Sequence, residues 1–186
     1  MIAVSGLPDI AIGDTICHVE HPRPLPVVPI DEPTVGMVFS VNDGPFGGKV
    51  GEYVTSRHIR DRLLKESLHN VALRVEEGPT AESMKVSGRG VMHLGVVIEN
   101  MRREGFEFCV SRPEVILKEI DGVLHEPIER LVVNVPEANA GKAMELIGQR
   151  RGEMRDMTTR GSLQTLTFAI PARGLIGLRT RMMTAT

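Results

Sequence analysis

Twice in this chain a short run of alternating apolar residues leads into an Arg-Gly step and then a helical pattern. The sites are Ser87-Gly88-Arg89-Gly90-Val91-Met92-His93-Leu94 and Ile170-Pro171-Ala172-Arg173-Gly174-Leu175-Ile176-Gly177-Leu178. Each is preceded by the same order of patterns: strand, helix, strand, strand. Period-2 runs form sheet, and runs of period 3.6 cover one face of it. The chain is therefore expected to be α+β, with two βαββαβ sandwiches of the ferredoxin-like kind in tandem and no single large core. The second copy reaches Thr186 inside its last helix. It should be one strand short, with an unpaired sheet edge, as in a piece of a longer protein.

In the first copy, Val35, Met37, Phe39 and Val41 alternate onto one face of a strand spanning Thr34 to Val41. A glycine-rich loop from Asn42 to Val54 follows. Thr55 or Ser56 caps a helix with Ile59, Leu63 and Leu64 inward. Val71, Leu73 and Val75 make the next strand, and Gly78-Pro79 turns the chain into Met84 and Val86. Leu94, Val97, Ile98 and Met101 lie at helical spacing before Gly105, a left-handed stop, and Phe106, Phe108 and Val110 close the sheet.

The second copy begins with Leu131, Val133 and Val135, after a turn at Asp121-Gly122. A helix over Ala140 to Arg150 buries Ala140, Ala143, Met144 and Ile147, with Gly152 just beyond it. Met154 to Thr158 and Leu163 to Ile170 form a hairpin about Arg160-Gly161-Ser162, and a helix starts from Gly174. Residues 1–20 read as strands turning at Gly6-Leu7-Pro8-Asp9, too poor in apolar residues to close a core. The Pro-rich run to Pro33 is a stiff spacer. The expected divisions are 1–30, 31–113 and 114–186.

Net charge is −2, which taken alone argues against nucleic acid. Its distribution argues otherwise: residues 114–140 hold six acidic and two basic side chains, residues 141–186 three and eight. The late segment is a candidate polyanion-facing surface. Arg150, Arg151 and Arg155 bracket a helix end, where they either complement the macrodipole or fork onto phosphate oxygens. Arg160, Arg173 and Arg179 extend the positive territory, and Lys49 sits with Phe46 and Tyr53 in the glycine loop. That loop, Asp43-Gly44-Pro45-Phe46-Gly47-Gly48-Lys49-Val50, is not a P-loop, because Asp43 replaces the first glycine and Val50 the magnesium-holding hydroxyl.

Catalytic and metal chemistry find little support. His93 has no nucleophile or acid placed near it by sequence, and Glu76-Glu77 read as an exposed pair. Cys17 and Cys109 lack ligand spacing and suit reduced thiols of a cytoplasmic protein; His18 and His21 beside Cys17 lead into an extended Pro-rich run. No apolar run approaches the ~18 residues of a membrane span. No catalytic residue and no metal ligand is assigned, and no membrane or DNA partner is expected.

Several of these segments resemble the BipA/TypA family of ribosome-associated translational GTPases. The stretches are Val86 to Gly90, His93-Leu94, Val97 to Gly105 and Ser111-Arg112-Pro113, which look like that family's third domain. Glu126-Pro127-Ile128, Val135-Pro136-Glu137, Arg150-Arg151-Gly152 and Pro171 to Arg179 look like its elongation-factor-G-like fifth domain. Elongation factor G itself carries a large extra domain between these modules, whereas here a short connector separates Pro113 from Glu126. That leaves BipA/TypA or the related LepA type, and Arg-Gly-Leu-Ile-Gly at 173–177 favours the former. Similar sequences usually have Glu where this chain has Val91, which weakens first-turn dipole pairing.

The resemblance implies the end of a β-barrel second domain, a whole third domain and most of a fifth. GTP and magnesium would bind in an N-terminal domain outside the chain, with no cofactor in this portion. Its role would be to dock on ribosomal RNA and protein at the factor-binding site. A small-ligand regulatory module and an acylphosphatase-like enzyme are the alternatives that share the βαββαβ plan.

Overall fold

A computed structural model describes residues 4–6, 10, 12–26 and 31–185. In the first module, β1 (Val35–Ser40) pairs antiparallel with β3 (Ser83–Gly88), setting Met37 opposite Val86 and Phe39 opposite Met84. These four residues share one face and are buried, as the alternation requires. Two helices, α1 (Ser56–His69) and α2 (Val91–Arg103), cover that face with Ile59, Leu63, Leu94, Val97 and Met101. Adding β2 (Arg74–Glu77) and β4 (Cys109–Val110) gives the sheet order β2-β3-β1-β4. In chain order this is 4-1-3-2 read from the other edge, the ferredoxin-like topology.

The edge strand is interrupted. Ser111 bonds Val38 through both its backbone N–H and its hydroxyl oxygen, and β5 (Glu114–Val115) resumes pairing on the other half of β1. The first sheet therefore continues past Pro113. Next, β6 (Lys118–Ile120) and β7 (Val123–His125) form a two-stranded hairpin, turning at Asp121 (φ 53) and Gly122 (φ 76). Two successive positive φ values match the right-handed twist of the flanking strands.

The second module follows with β8 (Ile128–Pro136), α3 (Glu137–Gly148), β9 (Glu153–Arg160) and β10 (Leu163–Pro171). The helical pieces α4 (Ala172–Leu175) and α5 (Leu178–Ala185) complete it. Its sheet order is β8-β10-β9, so strands 1, 3 and 2 repeat the first module's arrangement. The fourth position, beside β8, carries no partner among the described residues. Ala140, Ala143, Ile147, Leu166, Phe168 and Ile170 build a core separate from the first. The described residues hold two cores and no merged barrel.

Several local expectations shift. Leu64 is 43% exposed, because α1 turns only Ile59 and Leu63 fully onto the sheet. Val71 and Ala72 form a turn after Asn70, so β2 starts at Arg74. Phe106, in an isolated bridge to Tyr53, and Phe108 pack against the core outside any strand, leaving β4 only two residues long. The helix expected from Gly174 starts at Ala172 and breaks at Gly177, which has φ 70. The strands expected in residues 1–20 do not form among the described residues there, whose backbone has no sheet partner among the described residues. Leu7, Pro8 and Asp9 of the expected turn lie outside the described residues.

Separate cores predict separable stability. Ile147→Ala should destabilise the second module by about 2–5 kcal/mol, the usual range for emptying such a site. In urea titration the circular-dichroism midpoint should fall while the fluorescence midpoint of Tyr53, the lone tyrosine in a chain without tryptophan, stays in place.

Candidate nucleic-acid interface

Register decides where the cations fall. β10 pairs with β8 along its whole length, setting Leu163 opposite Pro136 and Pro171 opposite Ile128, and with β9 from Arg160 to Glu153. The end of α3, the start of β9, the end of β10 and the start of β8 therefore share one end of the sandwich. Arg160 lies at the hairpin at the other end, seven steps along β9 and about 23 Å away at strand rise. The arginines of the late segment are thus not one patch. Arg150, Arg151, Arg155 and Arg173 gather at one end, Arg160 stands apart, and Arg179 lies in the first turn of α5.

Arg151 owes its presentation to the way α3 stops. Gly152 N–H bonds Ile147 C=O at 3.0 Å and Arg151 N–H bonds Gly148 C=O at 2.9 Å, the paired closure of a Schellman motif. That motif needs one residue in left-handed backbone, and here it is Arg151, with φ 64. In α2 the equivalent bonds place Gly105 (φ 90) at this position. A glycine at 152 is required for a different reason: a Cβ there would lie 2.3 Å from Ile147 Cγ2. The sequence signal, a glycine past the helix, marked the stop correctly but not which residue bends. The left-handed conformation costs a non-glycine residue about 1 kcal/mol or more, and it leaves Arg151 exposed.

Arg155 is the extra residue of a β-bulge between the Thr167–Asp156 and Phe168–Met154 pairs. Its contact with Glu153, at 3.0 Å, joins two well-exposed side chains and constrains it little. Arg130, opposite Ala169, faces away from the helices at the same end of the sheet. Sequence reasoning passed it over, although its alternation with Leu131 and Val133 carried the signal.

Two of the gathered arginines are engaged internally. The half-buried Arg150 donates from Nη1 to the carbonyls of Gly174 at 2.7 Å and Ile176 at 2.8 Å, tying α3 to the α4–α5 corner. Arg173 forks onto Glu126 at 2.6 and 3.0 Å and, with help from Arg151, holds that carboxyl below its ordinary range. Lys49 sits 5.0 Å above the Phe46 ring in the other module.

The glycine loop is an anion cradle, and its anion is internal. Glu107 Oε1 accepts from Gly48 N–H at 2.8 Å and Asn42 Nδ2 at 2.7 Å, while Oε2 accepts from Val50 N–H at 3.0 Å and Gly51 N–H at 2.8 Å. The backbone donors of Gly51, Gly48 and Val50, in that order, pull its pKa from 4.5 down to about 2. A Cβ at Gly51 would lie 2.4 Å from the Glu107 Cβ, so the close approach needs glycine.

His93 is likewise engaged: Nδ1 accepts from Arg89 N–H at 3.3 Å, and Nε2 meets the Asn70 amide at 2.9 Å. Elsewhere, Arg102 and Arg103 converge on Glu99, holding it near 2. Arg62, only 16% exposed, binds both Glu104 and Glu66 and thereby joins α1 to the end of α2. Among the described residues no group of three or more His, Cys, Asp or Glu side chains is placed to hold a metal ion.

Residues 123–186 match the family described as elongation factor G C-terminus. Over 96% of the chain, the sequence is 54% identical to a Synechocystis protein named large ribosomal subunit assembly factor BipA. Over the full chain, it is 52% and 51% identical to proteins of the same name from Bacillus subtilis and Escherichia coli K12. Along its whole length, this chain belongs to the BipA family. It spans about 30% of the length of those BipA proteins. A crystal structure of a protein from Thermus thermophilus shares the fold, with a TM-score of 0.50 at 13% identity over 87% of this chain and 39% of the other. The start of α2, at Val91, has neither an acidic first turn nor a side-chain cap at Gly90.

Two outcomes test this geometry. Arg150→Ala should lower thermal stability by about 1–3 kcal/mol, the usual effect of stranding half-buried carbonyl acceptors. For Glu107, a depressed folded pKa means its contribution is present above about pH 4.5 and lost as pH falls toward 2. Amide NMR signals of Gly48, Val50 and Gly51 should titrate with a midpoint near pH 2, and that titration should vanish in Glu107→Gln.

Proposed function

We propose that this chain is the non-catalytic, ribosome-docking portion of a BipA/TypA-type translational GTPase. In this reading, Arg151 and Arg155, supported by Arg130, grip ribosomal RNA phosphates at one end of the second module. The observation that carries it is the backbone at Arg151. A helix stop that glycine serves in α2 is served here by an exposed arginine, at the same end of the module as a second arginine set on a bulge. Guanidinium forks suit phosphate oxygens, and strain at a non-glycine residue is a feature of working sites.

Arg150 and Arg173 then serve as struts behind the contact, and Lys49, Arg160 and Arg179 make separate contacts. The partner class comes from the relatives, whose name is that of an assembly factor for the large ribosomal subunit. GTP hydrolysis and its magnesium belong to a domain outside this chain, as the resemblance implies, and nucleotide state reaches the ribosome through the orientation of two rigid sandwiches. The setting is the cytoplasm, and no described helix is long and apolar enough to cross a membrane. A LepA-type reading is less well supported, since the relatives quoted above are BipA proteins.

Sedimentation with isolated large ribosomal subunits tests the proposal. The Arg151→Glu/Arg155→Glu variant should bind about tenfold or more weakly than wild type, and wild-type affinity should fall steeply with salt as counterion release requires. Equal binding by both proteins would remove these residues from the contact.

A further inference from the structure

A cleft of about 580 Å³ separates the two modules, within the range of small-ligand sites. One wall is the start of α2 with Val35; the other is the α4–α5 corner. Its interior is apolar, lined by Val91, Leu175 and Ile176. Arg89 and Arg179 line it from opposite walls, and neither guanidinium has an ion-pair partner among the described residues. The two cations thus come from two different modules.

Gly95 adds a separate observation. It lies inside α2, where glycine is a poor helix former, and a Cβ built there meets no atom within 4 Å. No described residue crowds this position. What its absent side chain provides is space in the cleft. Glu129 lines the same cavity and is the carboxylate among its lining residues. An anionic ligand group is therefore directed toward the arginines, while a ring amino group beside Glu129 would find an acceptor.

These features suit a ligand with an apolar body, an N–H donor on its rim and an anionic group such as phosphate. We propose that the cleft receives one unpaired nucleotide of RNA, its phosphate between Arg89 and Arg179 and its base against Val91, Leu175 and Ile176. Bases splayed out of single-stranded loops are the elements proteins most often read in RNA. The inference rests on the RNA-docking reading above and adds to it a site that exists only when both modules are in place. Occupancy would hold their relative orientation.

Fluorescence anisotropy with a short single-stranded RNA, using the whole chain, tests it. Gly95→Leu puts a side chain into the cleft from a position where an added Cβ meets no atom within 4 Å, and it improves helix propensity, so it should keep the wild-type melting profile yet bind about tenfold more weakly. Arg89→Glu and Arg179→Glu should each weaken binding about tenfold or more, as loss of a charge-assisted phosphate contact predicts. Arg103→Glu, at the other end of α2 and about 18 Å from Val91 at helical rise, should change it by less than about threefold.

If Gly95→Leu and both arginine variants bind RNA as wild type does, while Arg151→Glu/Arg155→Glu loses binding to the large subunit, this inference falls and the docking reading stands. If wild type binds neither RNA nor the subunit, both fall. If free nucleoside monophosphates displace the RNA at equal concentration, the site is one for free nucleotide and the RNA occupant is wrong.

Discussion

The antiparallel register between β10 and β8, held over nine residue pairs from Leu163–Pro136 to Pro171–Ile128, governs the second module. It puts Val135, Leu166, Phe168 and Ile170 under α3 and sends Arg130, Val132 and Asn134 to the open face. By fixing which strand ends meet, it also gathers the end of α3 with the start of β9. A slip of one residue would exchange the two faces and scatter the arginines. The shorter β1–β3 register plays the same part in the first module, where Phe39 and Val86 are fully buried.

Cation placement and cation availability are different properties, and this chain separates them. Arg150 and Arg173 share an end of the module with Arg151 and Arg155 but are committed, one to backbone carbonyls and the other to Glu126. Those contacts still matter for the exposed pair. They hold the α3 end against the α4–α5 corner, so that Arg151 projects from a braced turn. In the first module several cations are neutralised: Arg102 and Arg103 share Glu99, and Arg62 bridges two carboxylates. The basic late segment, in a chain with a net charge of only −2, is where the proposed RNA contact falls.

The glycine loop shows how a phosphate-like cradle can serve a structural end. Its backbone donors converge as a nest does, but Glu107 occupies them and ties the loop to the segment before β4. The loop is thus satisfied from within, and Lys49 is left at its surface beside Phe46. The cleft between the modules presents the opposite case, with apolar walls and two guanidinium groups that have no ion-pair partner among the described residues.

Much of this architecture was legible in the residues. Alternation in Val35-Met37-Phe39 and Leu131-Val133-Val135, and helical spacing in Leu94-Val97-Met101, are local consequences of burying one face of an element; they dictated two α+β sandwiches and a second sheet of three strands. Charge counts located the basic segment for the same reason, since composition needs no coordinates. Three things were beyond reach: that Arg151 rather than a glycine adopts left-handed backbone, that Arg150 faces inward, and that Glu107 fills the glycine loop. The last two depend on partners far along the chain, Ile176 for Arg150 and Gly48 for Glu107, and the first on the hydrogen bonds that close α3 around Arg151. The amino-acid order by itself determined which faces are apolar and how many sandwiches form, because periodicity is a property of neighbours. Only the tertiary structure decided which charges remain free to meet a partner, because pairing is settled by distances that close when the elements pack.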